Sequence, residues 1–312
     1  MRISSNYFNN RLAGQMMQSQ TRLAGIQEQL AAGSKALRPS DDPVGKGQAI
    51  LLREAESQLT QYQRTSDRAE SLLSNEEAAL ADLGNLIVTI RGLALQSNND
   101  TLADSDKSSL LSELQERKAN LLNLVNATDV NGHYLFAGSE VDTKPWPTAQ
   151  PDDYQGDSVK RSIAIGPGNT LQLGTLASEL INFSHTDQSG VESSINLLEI
   201  IESMETQLST PIADAQAHAD YHAALSLSLD QLTSAQTNIS LHRSTTGFAM
   251  AEIDRARESN TDSKLQVQTE LAGIEDLDYA EAITRMESEL ASLEALQATY
   301  SRMQNLTLFN RL

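Results

Sequence analysis

The seven prolines of this 312-residue chain stand at 39, 43, 145, 147, 151, 167 and 211, so the stretches 44–144 and 212–312 contain none. Proline inside a helix removes a hydrogen bond and clashes with the preceding turn, so a chain divided this way is free to run as two long helical arms. Between the arms, residues 131–190 hold four of the seven prolines, seven of the sixteen glycines and the single tryptophan, Trp146. Turn formers at that density point to a small β-rich insert.

The first arm carries a stripe that steps by three and four: Leu52, Ala55, Leu59, Tyr62, Ser66, Ala69, Leu73, Glu76, Leu80, Leu83, Ile87, Ile90 and Ala94. Ser66 and Glu76 are its polar members. A heptad repeat kept this long marks a helix packed along its length on near-parallel partners. As one rod over 47–97 it spans about 75 Å at ~1.5 Å per residue. Ser40, Asp41 and Asp42 offer N-cap oxygens before Pro43, which suits a first helical position. A second helix is expected over 105–127, antiparallel to the first because the link is short. After the insert, Val191, Ile195, Leu198, Ile201 and Leu208 predict a short helix ended by Pro211, and Leu225 to Ile253 lie on a long one.

Both ends repeat the pattern. Leu12, Met16, Leu23, Ile26 and Leu30 form an N-terminal stripe closed by Gly33; Ile283, Met286, Leu290, Leu293, Leu296, Tyr300 and Met303 form a C-terminal one, started by Asp278 and Glu281 as a capping box. Residues 1–38 carry a net charge of +4 and the other 274 residues sum to −23. Two helices with apolar faces that neither fully covers are marginal until neighbours arrive, so these twelve residues are the expected assembly interface. The expected fold is mainly α: a long coiled-coil-like helical bundle with paired N- and C-terminal helices and a small β-rich inserted domain. Its parts are a terminal assembly helix (1–38), a long arm (39–130), the outer insert (131–190), a returning arm (191–276) and a C-terminal assembly helix (277–312).

Several functions lack support. A net charge of −19 repels nucleic acid. Zero cysteines exclude disulfides, thiolate metal sites and a cysteine nucleophile. Unbroken apolar runs reach only four residues, as in Ala49–Leu52, against about 18 for a membrane span, so no membrane insertion is expected. The first ten residues show no secretory signal. His218 and His222 stand four apart, but Ala219 follows the first where a zincin has Glu. Gly166 to Thr170 lacks the Gly-Lys-Ser/Thr ending of a phosphate loop and reads as a hairpin turn. Asp41 and Asp42 suit capping better than a cation, and Asp129 with Asn131 lacks the later ligands of a calcium loop. No catalytic residue, cofactor or metal is assigned.

Leu30-Ala-Ala-Gly33-Ser-Lys35 followed by Arg38-Pro39-Ser40-Asp41-Asp42-Pro43-Val44-Gly45 resembles the signature of flagellins and flagellar hook-associated proteins. Asp129-Val-Asn131-Gly132-His-Tyr134-Leu-Phe136-Ala-Gly138 is similar to the turn-and-strand motif of the hook–filament junction family, as is the ending Gln304 to Asn310. On physical grounds Asn131-Gly132 suits a type I′ turn, with φ > 0 at both residues. The resemblance implies a structural, non-enzymatic part of the bacterial flagellum, extracellular and exported without a cleaved signal peptide. It implies self-association in a ring, contact with a neighbouring hook-associated junction protein and with flagellin, and an export chaperone on the C-terminal helix. The alternatives are a short flagellin that forms the filament itself and a cytoplasmic coiled-coil scaffold.

Overall fold

The computed structural model describes residues 2–99, 103–151, 153–187, 190–212 and 214–309. Its elements run α1 (Arg2–Ala32), α2 (Pro43–Ser97), α3 (Asp104–Val125), β1 (Arg161–Gly166), β2 (Asn169–Leu173), α4 (Ala177–Ile181), β3 (Asn182–Thr186), β4 (Glu192–Asn196), α5 (Leu197–Ser209), α6 (Ala215–Glu275) and α7 (Tyr279–Phe309). The chain forms two compact units, Met1–Thr60 with Thr261–Leu312, and Gln61–Asn260; α2 and α6 contribute to both.

The start of α2 follows from its capping residues. Asp42 Oδ1 accepts the Gly45 N–H at 2.8 Å, and Pro43 takes the first helical position, where its missing N–H costs nothing. From Ser66 to Ala94 every position of the heptad stripe is buried, the two polar ones included. One stretch of α2 is long and apolar enough to pass for a membrane span, a property that counting unbroken runs does not detect. In this fold Leu80, Leu83, Ile87 and Ile90 of that helix line the core seam.

Glu76 is 4% exposed, and its Oε1 accepts from Thr175 N (2.9 Å), Thr175 Oγ1 (2.6 Å) and Thr246 Oγ1 (3.3 Å). It therefore ties α2 to the segment after β2 and to α6. Burial pushes its carboxyl up, opposed by the bonds donated by Thr175 and Thr246. A raised folded-state value gives stability that is present below the ordinary 4.5 and lost as pH rises through the folded value. Glu76→Gln keeps an acceptor for Thr175 without the charge. Its urea midpoint, measured against the parent chain's, is expected to gain ground steadily as pH rises above that point; a difference that does not change with pH contradicts this.

The main core of the second unit joins α2 to Leu114 and Leu121 of α3, Leu198 and Ile201 of α5, Leu225, Leu232 and Ile239 of α6, and Phe136 and Trp146 from the insert. A smaller cluster seats the β1–β2 hairpin on the long helices, with Ile165 and Leu173 against Ala69, Leu73 and Ile253. The hairpin turn expected at Gly166–Thr170 is present, with Gly168 at φ 74°. The Leu225–Leu229 segment, whose alternation imitates a strand, is helical within α6.

Two local expectations are corrected. Residues 192–196 are not the start of a helix but strand β4, paired antiparallel with β3. The helix begins after Asn196, whose side chain accepts the Leu198 N–H at 2.8 Å and donates to Asn182 Oδ1 at 2.7 Å, so one residue caps α5 and closes the sheet. The Asn131-Gly132 turn is not type I′ either: Gly132 has φ 84°, but no non-glycine residue among those described has positive φ. Gly132 N bonds Asp129 O, and Asp129 Oδ1 accepts the N–H groups of Asn131 and His133 at 2.8 and 3.0 Å. The carboxylate of Asp129 organises the turn and leaves the left-handed conformation to the glycine alone.

Candidate assembly interface

Within the first unit, α1 and α7 pair along their lengths. Gly33 ends α1 at φ 67°, and a Cβ there would stand 2.9 Å from Tyr279 Oη. Just past this cap the two ends of the chain clasp. Lys35 N donates to Glu275 O at 2.9 Å, Leu277 N donates to Gly33 O at 3.0 Å, and Ser34 bridges Asp276 antiparallel. Lys35 Nζ adds a bond to Gly273 O at 3.1 Å. Glu275 meets Lys46 at 3.1 Å and Arg53 at 2.6 Å; desolvation pushes its carboxyl up, but the two cations outweigh this and hold it below the usual range. At the start of α7, Asp278 Oδ1 accepts from Ala280 N and Glu281 N at 2.9 and 3.1 Å, which is the forward half of the expected capping box.

The stripes are largely occupied by this pairing. Leu12 is buried; Met16, Leu23, Ile26, Leu30, Met286, Leu293, Leu296 and Tyr300 are half-buried; Ile283 and Leu290 remain 43% and 39% exposed. The side chain of Met303 and the whole of Asn310 lie outside the described residues. The α1 stripe also contains buried Ser19, whose hydroxyl donates to Glu289 Oε2 at 2.8 Å while Arg22 Nε donates to Oε1 at 2.7 Å. Those bonds from Arg22 and Ser19 hold the Glu289 carboxyl below its ordinary value. A lowered value gives stability that is present above the ordinary 4.5 and lost as pH falls through the folded one. Protection of the amides in 10–30 and 280–300, taken relative to the intrinsic exchange rate at each pH, is therefore expected to fall on acidification and to fall less in Glu289→Gln; protection that falls equally in both chains contradicts the link.

Sequence reasoning missed other apolar groups of the same unit: Tyr7, Met17, Val44, Ile50, Leu51, Leu265 and Tyr279 are all more than half exposed. The signal lay in the run Ala49–Leu52, which puts apolar groups on several sides of a helix, whereas a single-stripe reading keeps one.

The signature residues do structural work. Arg38, Pro39 and Ser40 are exposed; Asp41 Oδ2 accepts the Arg38 N–H at 2.9 Å and Asp42 caps α2. Asn131 lies exposed in its turn and Tyr134 N bonds Val141 O at 2.8 Å. Phe136 is fully buried, and Gly138, at φ 79°, leaves the space that Asp157 fills when it accepts the Ser139 N–H at 2.8 Å. The rings of His218 and His222 lie in contact with centroids 4.5 Å apart and planes tilted by 56°, and His222 Nδ1 meets Asn98 Oδ1 at 2.5 Å. Among the described residues no three His, Asp or Glu side chains gather to hold a metal.

Residues 3–141 match the bacterial flagellin N-terminal helical region and residues 229–312 the C-terminal helical region. Flagellar hook-associated protein 3 of Salmonella typhimurium is 26% identical over 99% of both chains, and that of Escherichia coli is 29% identical over 90% of both. The chain belongs to the flagellin superfamily, and its likeness to hook-associated protein 3 runs over nearly its whole length. A flagellin of Clostridium tyrobutyricum matches only 60% of this chain and 49% of its own length at 25% identity. The fold agrees with the family: the crystal structure of the Legionella pneumophila hook-associated protein 3 aligns with a TM-score of 0.67 at 17% identity, over 72% of this chain and 98% of the other.

Proposed function

We propose that this chain joins the flagellar hook to the filament, working as a ring of copies held in place by its terminal helices. The observation that carries this reading is the end-to-end match to hook-associated protein 3, where a flagellin matches only in part. The roles follow the parts of the sequence. Residues 1–38 and 277–312 form the inner assembly layer, 39–130 and 191–276 the arms around it, and 131–190 the outward insert. The chain leaves the cell without a cleaved signal peptide, an export chaperone covers the C-terminal helix until then, and in place the ring contacts a neighbouring hook-associated protein and flagellin.

The physical mechanism is burial completed by neighbours. Pairing of α1 with α7 covers most of the two stripes, yet Ile283, Leu290, Met17 and Leu51 stay in water. Covering such groups yields about 25 cal/mol per Å² of apolar surface, and many contacts around a ring add up to a stable joint. Deleting the gene is expected to leave hooks intact while filament protein escapes into the medium. Filaments that remain attached contradict the junction role, and long tubes grown from the purified chain alone point to a filament subunit instead.

A further inference from the structure

The second unit carries a belt with little charge. In α2 from Ala78 to Ser97 and in α6 from Ala223 to Ala251, the charged residues are Asp82, Arg91, Asp230 and Arg243: four of 49, in a chain where charged residues are 21%. Their formal charges cancel, while the chain as a whole stands at −19. Arg243 is further engaged, at 2.6 Å from Glu77 on α2. The two stretches belong to neighbouring helices, since Gly84 of α2 faces Ile239 of α6. Val88 and Leu95 on α2, and Leu227, Leu241 and Phe248 on α6, are each at least half exposed. Their spacings of seven or fourteen residues make a second heptad line on each helix, separate from the buried seam; the open register between Leu227 and Leu241 is filled by Ser234, bonded to His185 at 2.9 Å.

Heptad-spaced apolar residues on an outer face suit a partner helix lying alongside. The charge pattern selects that partner. Two copies of so acidic a chain repel wherever their ordinary surfaces meet, and approach most easily where each is neutral. Two different neutral lines on one subunit also meet the requirement for a head-to-tail contact, the kind that closes rings. We infer that the α6 line at Leu241 and Phe248 packs against the α2 line at Val88 and Leu95 of the next copy, forming the side-to-side contact of the ring. This rests on the ring proposed above and names the face it uses.

Because the chain has no cysteine, introduced thiols report without background. Full-length chains carrying Leu95→Cys with Leu241→Cys, or Val88→Cys with Phe248→Cys, are produced in cells lacking the parent gene. Isolated hook–filament assemblies are then treated with a short thiol-to-thiol cross-linker. A ladder of covalent multimers is expected from the double variants and none from the four single variants. Dimers from a single variant mean that like faces meet, and the head-to-tail pairing is overturned. Variants incorporated at hook–filament joints that give no ladder overturn the belt while leaving the junction function standing. Variants that support attached filaments but are absent from the joint overturn the junction reading, and the belt with it.

Discussion

Replacing Phe136 by alanine is expected to lower the unfolding free energy by about 3–5 kcal/mol, the usual cost of truncating a fully buried aromatic side chain. Phe136 has no exposure and belongs to the main core, where its carbonyl also accepts the Ala177 N–H at 2.9 Å. The same backbone stretch bonds Leu135 N to Ala127 O at 2.9 Å, so the ring anchors the start of the insert beside the end of α3. The check is the shift in urea midpoint of the full chain, with Val130→Ala as a control. Val130 lies in the same motif but is 95% exposed, and its change is expected within about 0.5 kcal/mol. A loss below ~1 kcal/mol at Phe136 contradicts an anchoring role and returns the motif to an unassigned surface feature.

The second large effect concerns attachment. Leu293 and Leu296 are half-buried neighbours on α7, three residues apart on the face that pairs with α1. Changing both to Asp removes two apolar groups, each contributing up to about 1.5–3 kcal/mol when fully buried. It also places two carboxylates where desolvation penalises them. Filament attachment, counted by electron microscopy, is expected to be lost. The unfolding transition of residues 61–260 is expected to stay where it is, because neither leucine belongs to that unit. Normal attachment by the double variant contradicts a role for this face in the joint, and a lowered transition in 61–260 contradicts the independence of the two effects.

The long helices were legible because their signals are repeated many times. Thirteen stripe positions place the α2 seam, and Asp42 before Pro43 or Gly33 after Ala32 fixes an end, since the local chemistry admits few other conformations. Short elements carry fewer signals and are settled by tertiary partners. The β4 strand reads as helix because Val191, Ile195 and Leu198 keep the helical spacing, and only pairing with β3 decides otherwise. The turn at Asp129 shows the same limit, since a side-chain acceptor two residues upstream replaces the dihedral pair that Asn-Gly ordinarily suggests. At the candidate interface, periodicity found the α1 and α7 stripes but not Val44, Ile50 or Leu51, whose exposure depends on which sides of α2 its neighbours leave uncovered.

The clasp near Gly33 also sets an order of events. Its backbone bonds join residues 240 or more positions apart, Lys35 to Glu275 and Gly33 to Leu277, so nearly the whole chain must be present before they form. Contacts of such separation are late ones, because the closing of a long loop precedes any return from it. The clasp therefore closes only in a molecule that carries both ends: a fragment lacking residues 273–277 offers no partners to Gly33 and Lys35, and its α1 has nothing to fasten it to the start of α7.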